Sequence, residues 1–306
     1  MNRETIFPDI TIQQKLCVVA AGLGDDASKA AVDLIAQCGR LSLRAKQDYE
    51  IATRLARGMI DGLLTCGVTQ DRSLAGRAVI AAAALRLPET LAGNNLPQSI
   101  LSLMPAAVAR LAESLEKPSD EIYDESSDLY RKDLRFVIGQ AIPCGAQDVD
   151  LFSSAPWTTL LKNPSVQTVS RYLSAGGWGV WFRIHTDPRN TGEFDEAGWR
   201  RCYKRIADLL ESRPDVRGMV GTSWFYDPQL LSISPRLAYL QNDPLSGGAF
   251  MLRNGPGEIH TQRATLTSPS RRKLYEDGKY LPICWSVLWP RKELIAWAAA
   301  QAAAGA

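Results

Sequence analysis

Tryptophan divides this chain. All eight tryptophans (Trp157, Trp178, Trp181, Trp199, Trp224, Trp285, Trp289, Trp297) and both histidines, His185 and His260, lie beyond residue 150. The two halves must therefore be built differently. At 306 residues the chain also exceeds the size at which one core usually keeps growing, so two domains are expected, residues 1–150 and 151–306.

The first half reads as helices. Ala30, Ala31, Leu34, Ile35 and Cys38 recur at helical spacing and stop at Gly39, where a left-handed C-terminal position suits glycine. Ala52, Leu55, Ala56, Met59, Ile60, Leu63 and Leu64 trace a second stripe before Gly67, and an alanine-rich third element over 71–87 stops before Pro88. Further helices are expected near 97–117 and 126–141. The small residues favour close helix packing, and no nucleophile, base and orienting group stand together. This half reads as scaffold, lid or surface for a protein partner or self-association.

Turn formers without periodicity place the boundary near 143–157. Beyond it, Asn163 looks like an N-cap with Pro164 at the first helical position. The strands expected are 179–186, 216–226, 249–253 and 283–289; helices alternate with them at 194–212, 229–241, 268–278 and from Arg291. The fold class is therefore α/β (α+β), an all-helical N-terminal domain followed by a mixed sheet covered by helices.

With 35 basic and 33 acidic side chains, no net field draws the chain to nucleic acid. Its six cysteines (Cys17, Cys38, Cys66, Cys144, Cys202, Cys284) contain no CxxC pair, which argues against a closed zinc site or a disulfide framework. No signal-peptide pattern or run of about 18 apolar residues occurs, so no membrane role and a cytoplasmic location are expected.

Two strands close on the same punctuation, His185-Thr186-Asp187-Pro188 and Phe225-Tyr226-Asp227-Pro228. Ligands bind beyond the carboxyl ends of parallel strands, which makes Asp187 and Asp227 candidates for substrate contact or proton transfer. The competing account is ordinary Asp-Pro turn chemistry, which Asp243-Pro244 supports. Trp178, Trp181, Trp224, Phe225 and Tyr226 form either core or an aromatic wall for a small-molecule substrate. His185, Asp187 and His260 have the ligand types of a two-histidine, one-carboxylate Fe(II) site, with Arg271 or Arg272 available to a co-substrate carboxylate. That pattern resembles the iron and 2-oxoglutarate oxygenases. The stretch around His260, NGPGEIHTQR, reads as a mobile loop.

The order helix 194–212, strand ending in Tyr226, helix 229–241, strand 249–253, helix ending in Leu274-Tyr275-Glu276-Asp277-Gly278, strand resembles the second half of the GNAT-type N-acyltransferases. The resemblance covers about 90 residues, and no glycine-spaced pyrophosphate loop follows Trp224-Phe225-Tyr226. It implies acyl-coenzyme A as acyl donor and a small amine-bearing substrate, with Tyr275 protonating the departing thiolate and Asp187 or His185 as base. Asp227, Trp224, Tyr226 and Arg272 would then contact substrate. A non-catalytic binding or assembly protein is the expectation from a different class.

Overall fold

The computed structural model describes residues 3–116, 123–190 and 192–304. The chain forms two compact units, Met1–Pro143 with Asp150–Phe152 and Cys144–Val149 with Ser153–Ala306.

The first unit holds α1 (Arg3–Ile6), α2 (Ile10–Ala21), α3 (Asp25–Arg40), α4 (Leu43–Gln47), α5 (Tyr49–Thr65), α6 (Arg72–Ala84), α7 (Leu87–Leu91), α8 (Gln98–Leu101), α9 (Met104–Glu116), α10 (Asp128–Val137) and β1 (Ala141–Pro143). Helix α6 is its axis. Asp71 caps it by accepting Leu74 N–H at 3.0 Å, and every residue from Ala78 to Ala84 is buried. A helix apolar on all sides must be surrounded. Helices α2, α3, α5, α9 and α10 pack around it, and its alanine side chains let them approach closely. Two ionic clusters punctuate this core. Buried Glu125 accepts from Arg72 Nε at 3.0 Å and Arg57 Nε at 3.3 Å, and Arg135 Nη2 lies 2.5 Å from Asp150 with both side chains buried.

β1 and β2 (Asp148–Ser154) are joined by a turn in which Cys144 N–H donates to the Gln147 carbonyl at 2.9 Å. The second unit continues with α11 (Val166–Ser174), β3 (Val180–His185), α12 (Glu196–Ser212), β4 (Val216–Ser223), α13 (Leu230–Ile233), α14 (Tyr239–Ser246), β5 (Phe250–Pro256), α15 (Glu258–Leu266), α16 (Pro269–Glu276), β6 (Ile283–Pro290) and α17 (Arg291–Ala304). The strands form one mixed sheet in the order β1-β2-β3-β4-β6-β5. β3 and β4 run parallel, with Val180 opposite Val216 and Ile184 opposite Gly221. β6 is antiparallel to both of its neighbours, from Gly218 opposite Pro290 to Ser223 opposite Trp285 on one side. Trp181, Val220, Leu252 and Leu288 pack under Tyr172 of α11. α12 and α17 pack on each other and on β4, with the Tyr203, Trp289 and Trp297 rings 5.0–6.0 Å apart. Among the described residues no helix is long and apolar enough to cross a membrane.

The α/β fold class and the helix-rich first half match the sequence-based expectation, and several local details differ. The segment 143–157 is not a bare run of turns: it carries β2, with Cys144, Ala146, Val149 and Leu151 fully buried. Asn163 is not a helix cap. Its amide donates to the Arg253 carbonyl at 3.0 Å and accepts Arg253 N–H at 3.0 Å, so it pins β5, and Ser165 caps α11 instead. Helix α3 runs through Gly39. The aromatic wall does not exist as one surface: Trp178 precedes β3 and is exposed, Trp181 is buried, and Trp224–Tyr226 form a 3-10 turn after β4. Asp243-Pro244 lies inside α14 rather than in a turn.

Candidate functional site

The parallel pair β3 and β4 delivers two side-chain groups at its carboxyl ends. At the end of β3, His185 is half-buried, and the chain then turns at Asp187. The buried Asp187 carboxylate accepts from Arg189 N–H at 2.8 Å and from the Arg189 guanidinium at 2.7 Å through Nη2. A residue two positions away therefore supplies both the turn hydrogen bond and the counter-charge, which is structural turn chemistry.

Asp227 also has structural work. Its Oδ1 accepts Gln229 N–H at 3.1 Å within the turn, and its Oδ2 accepts Ile283 N–H at 2.9 Å. The second bond joins the end of β4 to the start of β6. Gln241 Nε2 completes the corner by donating to the carbonyls of Phe225 and Asp227 at 3.1 and 2.8 Å. Tyr226 is buried with its hydroxyl over β4. An added Cβ at Gly221 would stand 2.5 Å from that oxygen, so only glycine permits the approach. Burial pushes the phenols of Tyr226 and its neighbour Tyr203 above their ordinary range.

His260 stands on α15, not on a mobile loop; Gly257 precedes the first turn and Glu258 lies in it. Burial, followed by the nearby Arg263 charge, lowers the affinity of its imidazole for a proton. His185, Asp187 and His260 are not assembled into an iron site: among the described residues no group of three histidine, cysteine, aspartate or glutamate side chains is placed to hold a metal ion.

Helix α16 separates the remaining candidates. Tyr275 is 41% exposed on its outer side. Around it the chain closes a regular helix end, with Gly278 at φ +69°, its N–H donating to Tyr275 O at 3.0 Å and Lys279 N–H donating to Leu274 O at 2.8 Å. Exposed Arg272 donates from Nη2 to the Leu266 carbonyl at 2.9 Å, where it caps α15. The inward arginine is its neighbour Arg271, which lies over Trp224 with its guanidinium carbon 4.8 Å from the ring centroid. Tyr280, just past the helix, is buried in the same cluster with Trp224, Leu230 and Ala264. On and just after α16, Arg272 and Tyr275 therefore face outward, and Arg271 and Tyr280 inward.

No protein-family model matches the chain, and no curated protein or solved structure matches it.

Proposed function

We propose that the second unit is a GNAT-like acyltransferase that acylates a small amine-bearing substrate near the carboxyl ends of β3 and β4. The observation that carries this reading is the element order. A parallel β3-α12-β4 unit is followed by α14, β5, α16 and β6, the succession on which the resemblance rests. β3 and β4 are parallel, so their carboxyl ends point the same way, and ligands of α/β sheets commonly bind beyond such ends.

The start of α12 does not offer a phosphate cradle for acyl-coenzyme A. Asp195 already accepts the Gly198 N–H at 2.7 Å, and Glu193 and Glu196 stand beside it, so a pyrophosphate would meet carboxylates where a helix start usually supplies free N–H groups. The reading therefore rests on the catalytic side. His185, half-buried at the end of β3, would accept the ammonium proton of the substrate, because Asp187 is held by Arg189. Tyr275 on α16 would donate its phenolic proton to the departing group.

Calorimetric titration with acetyl-coenzyme A tests the reading. Saturable heat supports it; no heat and no thermal shift at millimolar ligand sink it.

A second reading, a non-catalytic assembly protein, is favoured by one observation. Trp157, Leu161, Val166, Leu173 and Trp178, on α11 and the segments flanking it in sequence, are all exposed. Clustered exposed apolar side chains mark interaction surfaces more often than free ones. Light scattering on the wild type and on Trp178→Ser tests self-association there; a monomer at every concentration removes that form of the reading.

A further inference from the structure

Several buried charges among the described residues have ion-pair partners. Glu125 pairs with Arg72, Asp150 with Arg135, Asp187 with Arg189 and Asp243 with Arg200. Arg271 differs. It is 3% exposed, yet its Nε donates at 2.6 Å to the Ala264 carbonyl and its Nη1 at 3.2 Å to Ser234 Oγ, and its third neighbour is the Trp224 ring. All three are uncharged, and among the described residues Nη2 has no hydrogen-bond partner and Arg271 no ion pair. Burial accordingly weakens its hold on its proton, and the nearby Arg236 charge acts in the same direction.

A buried hydroxyl without a partner lies in the same cluster. Tyr280 is 2% exposed, and its hydroxyl has no hydrogen-bond partner among the described residues. Both border Trp224: Arg271 lies over its ring and Tyr280 belongs to the same buried cluster. A buried cation without counter-charge and a buried hydroxyl without acceptor are each costly, and here they stand together. One group relieves both: an anion that accepts from Arg271 Nη2 and from the Tyr280 O–H.

We propose that Arg271, Tyr280 and Ser234 form a recognition site for a carboxylate carried by a small-molecule ligand. A singly charged, planar carboxylate matches one guanidinium edge and two hydroxyl donors. The half-buried Phe225, Ile233, Leu237 and Leu274 border the cluster and would meet an apolar body attached to that carboxylate. Asp227, whose charge also reaches Tyr280, is held by two backbone N–H groups and limits the site to one negative charge. This inference stands without the acyltransferase reading, because it needs neither acyl donor nor turnover.

The test uses the full chain and sodium benzoate, with benzamide as the uncharged isostere and sodium chloride at equal ionic strength as control. Benzoate is expected to raise the thermal midpoint and benzamide to leave it unchanged. Tyr280→Phe removes a hydroxyl that no protein group uses, so the variant should fold as the wild type does. It should nevertheless bind benzoate about fivefold to tenfold more weakly. Arg271→Lys keeps a charge without the fork and should weaken binding at least as much. A benzoate response absent from the wild type, or equal in wild type and both variants, overturns the proposal. A response to inorganic phosphate that exceeds the benzoate response and disappears in Tyr280→Phe overturns the carboxylate assignment.

Discussion

Replacing Asp227 with asparagine separates the shape of this residue from its charge at the corner where β4 and β6 meet. The carboxylate is buried and accepts two backbone N–H groups, Gln229 at 3.1 Å and Ile283 at 2.9 Å. Asparagine has one acceptor oxygen. It can serve the local turn at Gln229, and its NH2 then faces the Ile283 N–H, donor against donor. The loss comprises one charge-assisted hydrogen bond, about 1.5–3 kcal/mol, and a buried N–H left unsatisfied, about 1–3 kcal/mol. Relief from burying the charge offsets part of this, which leaves about 3 kcal/mol of destabilisation. For a domain of this size that corresponds to roughly 6–12 °C in thermal midpoint. Urea unfolding at fixed pH, followed by tryptophan fluorescence, reads the change, since every tryptophan lies in the second unit. Asp187→Asn is the internal comparison. Asparagine keeps an Oδ1 acceptor for the Arg189 N–H of the local turn, and the partly exposed Arg189 guanidinium can turn to water, so the cost should be smaller than at Asp227. If Asp227→Asn unfolds within about 1 kcal/mol of wild type, or Asp187→Asn costs more than Asp227→Asn, the structural roles given to the two turns are wrong.

Other outcomes follow from single features. At Glu125, burial is the largest single effect and raises the carboxyl pKa, but hydrogen bonds from Arg72, a backbone N–H and Arg57, together with the Arg72 charge, outweigh it, so the group ionises more readily folded than unfolded. Its contribution is present above the unfolded value of about 4.3 and is lost as pH falls through the lower folded value; acid unfolding monitored by circular dichroism should show this slope, and Glu125→Gln should flatten it. Tyr275→Phe, at an exposed helix position, should change stability by less than about 0.5 kcal/mol, so any loss of acyl transfer in that variant reports chemistry rather than folding. Limited proteolysis should spare 143–156 in its earliest cuts, because β2 is paired and buried; a first fragment ending there, mapped by mass spectrometry, would contradict the strand.

What was legible in the sequence was local. The apolar side of α12, the β-branched run of β4 and the Ser268-Pro269 start of α16 each carry their own periodicity or punctuation, and the corresponding elements form within a few residues of where the pattern places them. What was not legible depends on distant partners. Asn163 has every local mark of a helix cap, but its amide is taken by Arg253, 90 residues away. Rotation of a helix is set the same way. In the run Arg271-Arg272-Lys273 nothing local marks one arginine as buried, although Leu274, three residues after Arg271 and half-buried, is a trace of the inward face. The glycine and proline before Glu258 look like a continuing loop, whereas they end β5 and admit α15 at once. Asp187 and Asp227 share one tetrapeptide pattern, and only the tertiary structure shows that the first closes its own turn while the second reaches another strand.

The path of the backbone through β2 has a genetic consequence. The chain passes from one unit to the other after Pro143, again after Val149 and again after Phe152. No single breakpoint divides the coding sequence into two halves that each contain a complete unit; a 5′ piece ending at Pro143 lacks Asp150–Phe152, and one extended to Phe152 carries off Cys144–Val149. A chain split at one point therefore leaves one fragment without part of its unit and the other carrying the missing piece; a chimaera joined there would combine 144–152 from one parent with a unit from the other, and its seam would run through interior residues of β2.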